Sequence, residues 1–104
     1  MRNYLVVGMG KTGESTTGFL LDHGEKVLGY DDHKKRSDLL PNILNHPAYS
    51  HLMPADLPKL NWKNIQGCIV SPGVPSHHPV LIKCDQEQIP ILSEVELACS
   101  MLDF

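Results

Sequence analysis

The sequence has few features of a membrane protein, a disulfide-stabilised protein or a metal-binding protein. Among its 104 residues there are three cysteines, Cys68, Cys84 and Cys99, and none of them forms a C-x-x-C pair. Because their number is odd and their spacing wide, we predict a reducing compartment and interpret them as small buried apolar residues. No apolar run approaches the roughly 20 residues of a transmembrane helix, and no signal-peptide pattern opens the chain. We therefore expect a cytoplasmic protein with no membrane partner.

The charge distribution does not indicate a nucleic-acid partner. The net charge is −3, and the one basic cluster, KKR at 34–36, is interpreted as a solvent-exposed loop. The ATP-binding P-loop is also missing, although the letters GKT at 10–12 resemble its end. Four residues separate the two glycines of that loop, and here the first glycine would have to occupy the position of Leu5. The spacing therefore excludes an ATP-binding loop at this place.

A different glycine pattern is present, G-x-G-x-x-G at Gly8, Gly10 and Gly13. It follows the apolar run at 4–7, predicted to be a buried parallel strand, and precedes helical spacing over 12–23. Such glycines form the turn off the strand, let the backbone approach a phosphate and let the helix pack closely on the sheet. The helix N-terminus then faces an anion. The pattern indicates a phosphate site without naming the nucleotide.

The remaining pattern is that of an α/β protein with alternating strands and helices. A strand over 26–30 ends in two acidic residues about twenty positions after the glycines, where a Rossmann unit carries its acidic residue. Further elements are predicted at 39–44 (helix), 51–53 (edge strand), 67–70 (strand), 79–88 (helix), 89–92 (strand) and 93–102 (helix). The last helix begins with the capping-box pair Ser93 and Glu96.

This order predicts a Rossmann-like, doubly wound parallel sheet of about five strands in a three-layer α/β/α domain spanning 1–104. Ligands of such sheets bind beyond the carboxyl ends of the strands, here between the first and fourth. Three loops meet at that edge: the glycine loop, the loop at Asp31, and the loop SPG at 71–73.

Four segments together resemble the amino-terminal domain of the Mur ligases, and most closely the members that add D-glutamate. They are "VVGMGKTGES" at 6–15, "GEKVLGYDD" at 24–32, "IVSPGVPSHHPVL" at 69–81 and "IPILSEVELACSML" at 89–102. The resemblance covers nearly the whole chain outside residues 33–64. The SPG loop and the SEVEL helix start are much more specific than the glycines.

The resemblance implies that this domain holds the uridine diphosphate end of the substrate. Gly10, Lys11 and Thr12 would face the diphosphate, next to Gly8 and Gly13 of the same loop. Asp31, Asp32 and His33 would lie at the uracil, and Ser71, Pro72 and Gly73 on the diphosphate-sugar side. No catalytic residue and no metal ligand is expected in this chain.

The resemblance also implies a larger enzyme. Its substrate would be UDP-N-acetylmuramoyl-L-alanine, whose carboxylate is activated with ATP and magnesium as an acyl phosphate before the D-glutamate amine attacks it, in peptidoglycan biosynthesis. The 104 residues would be the amino-terminal fragment of a three-domain ligase, without the ATP-binding central domain and the carboxy-terminal domain. We expect the fragment to be monomeric, to bind no cofactor and to be inactive alone.

Other interpretations remain open at this stage. An NAD(P)- or FAD-binding domain of an oxidoreductase or redox sensor has the glycine pattern and Asp31 in its favour. A response-regulator-like domain has only the adjacent acids Asp31 and Asp32. The pair His77 and His78 is interpreted as surface loop rather than as metal ligands, and Trp62 as a packing anchor.

Overall fold

The computed structural model of the protein describes residues 3–33, 38–94 and 96–97. The elements bounded within these ranges alternate between strand and helix. They are β1 (Asn3–Val7), α1 (Lys11–Asp22), β2 (Lys26–Tyr30), α2 (Pro41–Leu44), β3 (Tyr49–Leu52), 3₁₀ turns at Pro54–Lys59 and Trp62–Asn64, β4 (Ile65–Val70), α3 (Pro79–Gln86) and β5 (Ile91–Leu92).

The five strands form one parallel sheet in the order β3-β2-β1-β4-β5. β1 lies in the middle, and the chain passes from one side of it to the other between β3 and β4. This reversal is the switch point where ligands of open parallel sheets bind. The predicted fold class and the predicted neighbourhood of the first and fourth strands are therefore confirmed.

Both faces of β1 are buried, as its continuous apolar run predicts. Val6 packs in one core cluster with Leu20 of α1, whereas Leu5 packs in a second cluster with Leu81 and Cys84 of α3. Neither Leu5 nor Val6 is exposed at all. Full burial of one such side chain contributes about 1.5–3 kcal/mol. The two clusters hold helices on opposite faces of the sheet, which gives the three-layer architecture.

The helix α1 ends at a glycine, as the sequence predicts. Gly24 has a φ of +79°, and its N–H donates to the Leu21 carbonyl at 3.1 Å while the Glu25 N–H donates to Leu20 at 3.0 Å. This pair of hydrogen bonds is the Schellman motif. The turn directs the chain into β2 at its predicted boundaries.

The helix α3 ends in the same motif without a glycine. The Ile89 N–H donates to the Cys84 carbonyl at 2.9 Å, and Gln88 has a φ of +59°. The helix therefore ends at Gln86, two residues before its predicted end, because the following residues form the cap. The fifth strand begins at Ile91 rather than at Ile89 for the same reason.

Other boundaries also differ from the prediction: α1 spans Lys11–Asp22 rather than 12–23, and α2 begins at Pro41 rather than at 39. β3 occupies Tyr49–Leu52 rather than 51–53, and β4 begins at Ile65 rather than at 67. The Tyr49 ring lies against Gly29 of β2, where a Cβ would collide with it. The strand starts at this tyrosine because pairing with Val27 of β2 begins there, and no local pattern contains that information. Trp62 is partly buried against the second core cluster, as predicted.

The carboxyl end of the described chain contains the predicted capping box. The Ser93 N–H donates to the Glu96 carboxylate at 3.1 Å, and the Glu96 N–H donates to the Ser93 hydroxyl at 3.1 Å. The rest of the predicted final helix, Cys99 and the basic triplet lie outside the described residues. Cys68 and Cys84 are buried free thiols, as interpreted. Within the described ranges no helix has the length and apolar composition needed to cross a bilayer.

Candidate functional site

An open cleft of about 480 Å³ lies at the carboxyl edge of the sheet, beside the junction of β1 and β4. The loops after β1, β2 and β4 form its walls. Ten of the eleven predicted site residues line it, together with three that the sequence did not indicate. The ten are Gly8, Gly10, Lys11, Thr12, Asp31, Asp32, His33, Ser71, Pro72 and Gly73, and the three others are Val7, Val74 and Pro75.

The eleventh predicted residue, Gly13, lies beneath the cleft. It is buried, and a Cβ at this position would collide with the backbone carbonyl of Gly8. Gly8 itself has a φ of +92°, and its N–H donates to the Tyr30 carbonyl at 2.8 Å. The two glycines therefore make the turn and the close helix contact that their spacing predicts.

The first turn of α1 presents unpaired donors to the cleft. Gly10 is the N-cap and has no side chain to satisfy them, and the first N–H to bond within the helix is that of Glu14, which donates to Gly10 at 2.8 Å. The N–H groups of Lys11 and Thr12 have no carbonyl four residues earlier inside the helix. With about half a positive charge from the helix dipole, this end of the cleft favours an anion.

The Asp31 carboxylate organises the glycine loop. One of its oxygens accepts the Met9 N–H at 2.6 Å and the other accepts the His33 N–H at 2.7 Å. The Met9 donor is therefore directed at Asp31 rather than at the cleft. Through these two hydrogen bonds the Asp31 carboxylate joins the loops after β1 and β2 at the edge of the cleft.

Ser71 joins the third loop to the first. Its hydroxyl donates to the Gly8 carbonyl at 2.8 Å, and its backbone N–H donates to the Val7 carbonyl at 3.1 Å. A hydroxyl has a single proton, so in this arrangement Ser71 can only accept a hydrogen bond from a ligand. Its side chain therefore holds the loops together rather than donating to a phosphate.

His78 corrects the interpretation of the histidine pair as a surface loop. It is only 7% exposed, and its Nε2 lies 2.7 Å from an Asp32 carboxylate oxygen while its Nδ1 accepts the Val80 N–H at 3.1 Å. It is the N-cap of α3, directly before Pro79. In the sequence, a histidine directly before the proline that begins a predicted helix indicates this N-cap role. His77 is exposed, as interpreted.

The second end of the cleft is acidic. Burial, followed by a hydrogen bond to Asp32 and the charges of Asp32 and Asp31, raises the pKa of the Tyr30 hydroxyl. Lys11, in the first turn of α1, is exposed. Within the described ranges no three His, Cys, Asp or Glu side chains are close enough to hold a metal ion. The cleft can thus bind a ligand with an anionic part and a part that donates hydrogen bonds.

Comparison with known proteins identifies the family. Residues 2–93 match the family described as Mur ligase MurD-like, N-terminal domain. Among curated proteins, the UDP-N-acetylmuramoylalanine–D-glutamate ligase of Protochlamydia amoebophila is 34% identical over 95 residues, which are 91% of this chain and 21% of that protein. The ligase of the same name from Syntrophus aciditrophicus is 35% identical over 101 residues, 94% of this chain and 22% of that protein.

The chain spans about a fifth of the length of these curated relatives. The matched region includes all three loops of the cleft. The chain therefore belongs to the MurD-like N-terminal domain family of the Mur ligases, as the sequence resemblance predicted.

Proposed function

We propose that the cleft binds the UDP moiety of UDP-N-acetylmuramoyl-L-alanine on behalf of a ligase that adds D-glutamate in peptidoglycan biosynthesis. The observation that carries the proposal is the meeting, in one cleft, of the unpaired α1 N-terminus and the acidic loop after β2. A nucleoside diphosphate has the complementary pair of parts, a charged phosphate chain and a base with an N–H donor. The names of the curated relatives supply the amino sugar and the amino acid.

At the helix end, backbone N–H groups of Lys11 and Thr12 would donate to the diphosphate. Gly10 has open space where a side chain would stand, so a phosphate can approach the backbone there. Lys11 and Thr12 both line the cleft, so the Lys11 ammonium and the Thr12 hydroxyl would add contacts to the phosphates. Charge-assisted hydrogen bonds of this kind are about twice as strong as neutral ones.

At the acidic end, a carboxylate of Asp31 or Asp32 would accept the imide N–H of uracil. His33 follows in the same loop, and Ser71, Pro72 and Gly73 would line the diphosphate-sugar side. A partly buried acceptor rejects a ligand that lacks the matching donor, because the acceptor is then left unpaired. Selectivity for the base would therefore come from the loop after β2, and affinity for phosphate would come from the N-terminus of α1.

We further propose that ATP, magnesium and D-glutamate bind to other parts of the complete ligase. The P-loop spacing fails at Leu5, so the glycine loop of this chain does not have the P-loop pattern that binds a triphosphate. The chain would then be a monomeric, cytoplasmic substrate-binding unit without ligase activity of its own. ATP hydrolysis by the purified 104-residue chain in the presence of the UDP substrate would contradict this proposal.

The first experiment is a chemical-shift titration of the isotope-labelled chain with UDP, UMP and NAD in separate samples. We expect UDP to shift residues 8–13, 31–33 and 71–73, UMP to shift them more weakly, and NAD to have little effect. Saturable shifts with NAD and none with UDP would instead support the nicotinamide- or flavin-binding interpretation. This comparison separates the two classes in one data set.

The matched variants are Gly10→Val and Gly18→Val. Neither position has an atom within 4 Å of an added Cβ, but only Gly10 lines the cleft. We expect Gly10→Val to weaken UDP binding at least about tenfold, equivalent to about 1.4 kcal/mol, and Gly18→Val to leave it unchanged. Wild-type affinity in a folded Gly10→Val protein would remove the glycine loop from the site.

A further inference from the structure

His78 connects two walls of the cleft from beneath it. Its Nδ1 accepts the Val80 N–H at 3.1 Å, and its Nε2 lies 2.7 Å from Asp32. A backbone N–H can only donate, so Nδ1 carries no proton and the ring proton is on Nε2. The imidazole therefore donates to the Asp32 carboxylate and links the N-terminus of α3 to the loop after β2.

The two partners differ in their exposure. The His78 side chain is 8% exposed and that of Asp32 is 46% exposed, and only Asp32 lines the cleft. Tyr30 lies beside the imidazole, and burial together with Asp32 raises the pKa of its hydroxyl. The Tyr30 ring meets the His78 ring edge-on, with centroids 5.9 Å apart. A buried scaffold thus fixes the direction of a carboxylate that the ligand can reach.

We propose that His78 is a positioning residue that holds Asp32 where its remaining lone pairs accept an N–H from the base. This inference rests on the proposed UDP function and assigns the base contact to Asp32, with His78 acting through it. Asp31 already accepts two backbone N–H groups that shape the glycine loop. Asp32 accepts from the His78 side chain, so its placement depends on that contact.

Two substitutions separate the two hydrogen bonds of the imidazole. In His78→Asn the amide oxygen replaces Nδ1, so the cap on Val80 is kept and the bond to Asp32 is lost. In His78→Gln the amide nitrogen reaches the position of Nε2, so the bond to Asp32 is kept and the cap is lost. Both variants lose the ring and its contact with Tyr30, so packing losses are shared. Asn is also among the best N-cap residues.

The test measures the affinities of both variants for UDP and for inorganic pyrophosphate, together with their unfolding midpoints. We expect His78→Asn to weaken UDP binding about three- to tenfold, with pyrophosphate binding unchanged. This is less than the loss of a whole charge-assisted hydrogen bond, because Asp32 is mispositioned and not removed. We expect His78→Gln to unfold more easily than His78→Asn and to bind UDP nearly as wild type does. In an Asp32→Ala background, His78→Asn is expected to have no further effect on UDP.

The outcomes distinguish this inference from the function on which it rests. If wild type binds UDP and His78→Asn keeps its preference for UDP over pyrophosphate, the positioning role is refuted and the proposed function stands. Loss of UDP and pyrophosphate binding in equal proportion would likewise refute it, because that pattern reports a general loosening of the cleft. A wild-type chain that binds no UDP would overturn the proposed function as well.

Discussion

The contact between Gly13 and Gly8 allows a quantitative test of the close helix packing beneath the cleft. Alanine stabilises a helix interior by about 0.5–1 kcal/mol relative to glycine. At Gly18 an added Cβ meets nothing within 4 Å, whereas at Gly13 it would collide with the Gly8 carbonyl. Both positions belong to α1. The pair Gly13→Ala and Gly18→Ala therefore differs in packing and shares the favourable change in helix propensity.

We expect Gly18→Ala to be more stable than wild type and Gly13→Ala to be less stable. The obstacle at Gly13 is backbone, which cannot move aside as a side chain can, and overpacking of this kind costs about 1–3 kcal/mol. The difference between the two variants isolates that cost. For a domain of this size it corresponds to a gap in melting temperature of about 4–20 °C.

The assay is urea unfolding followed by circular dichroism, with thermal unfolding as a second probe. Equal slopes of the unfolding free energy against urea for both variants would establish that the comparison reports stability alone. If Gly13→Ala is as stable as Gly18→Ala, α1 does not approach the glycine loop as described. The steric explanation of the third glycine in the pattern would then be refuted.

Two further predictions concern protonation and helix ends. Burial and Asp32 raise the pKa of the Tyr30 hydroxyl above its ordinary value of 10. The protonated hydroxyl therefore contributes stability that is fully present below about pH 10 and is lost as the pH rises through the folded-state pKa. Unfolding free energies from about pH 8 to pH 11 should therefore decline less in Tyr30→Phe, and an identical decline would contradict the assignment. At the helix ends, Gly24→Ala is expected to lower and Gln88→Gly to raise the unfolding free energy by up to about 1 kcal/mol, since both residues have positive φ. Changes of the same sign in both variants would refute the left-handed caps.

Local patterns were sufficient for the elements that surround the cleft. β2 occupies its predicted residues, because a β-rich run lies between Gly24 and the acidic pair. The glycine spacing likewise predicted both the turn at Gly8 and the helix contact at Gly13. These features depend on short-range geometry, which the order of residues alone specifies.

The missed features depend on contacts between distant segments. The burial of His78 results from its bond to Asp32, 46 positions away in the chain, so its own neighbourhood suggested a surface loop. Tyr49 begins β3 because its pairing with Val27, a residue of another strand, begins there. The Met9 N–H donates to Asp31, whereas the glycine pattern alone would assign this donor to the phosphate. No local periodicity contains this information.

The bonds between the loops have a consequence for the course of ligand binding. Ser71 holds Gly8, and Asp31 holds Met9, through hydrogen bonds made within the protein itself. Ordering one flexible side chain on association costs about 0.5–1.5 kcal/mol, and walls that are already joined avoid much of that entropic cost. Association then resembles docking onto a formed surface, so affinity differences among variants would appear mainly as different residence times of the nucleotide.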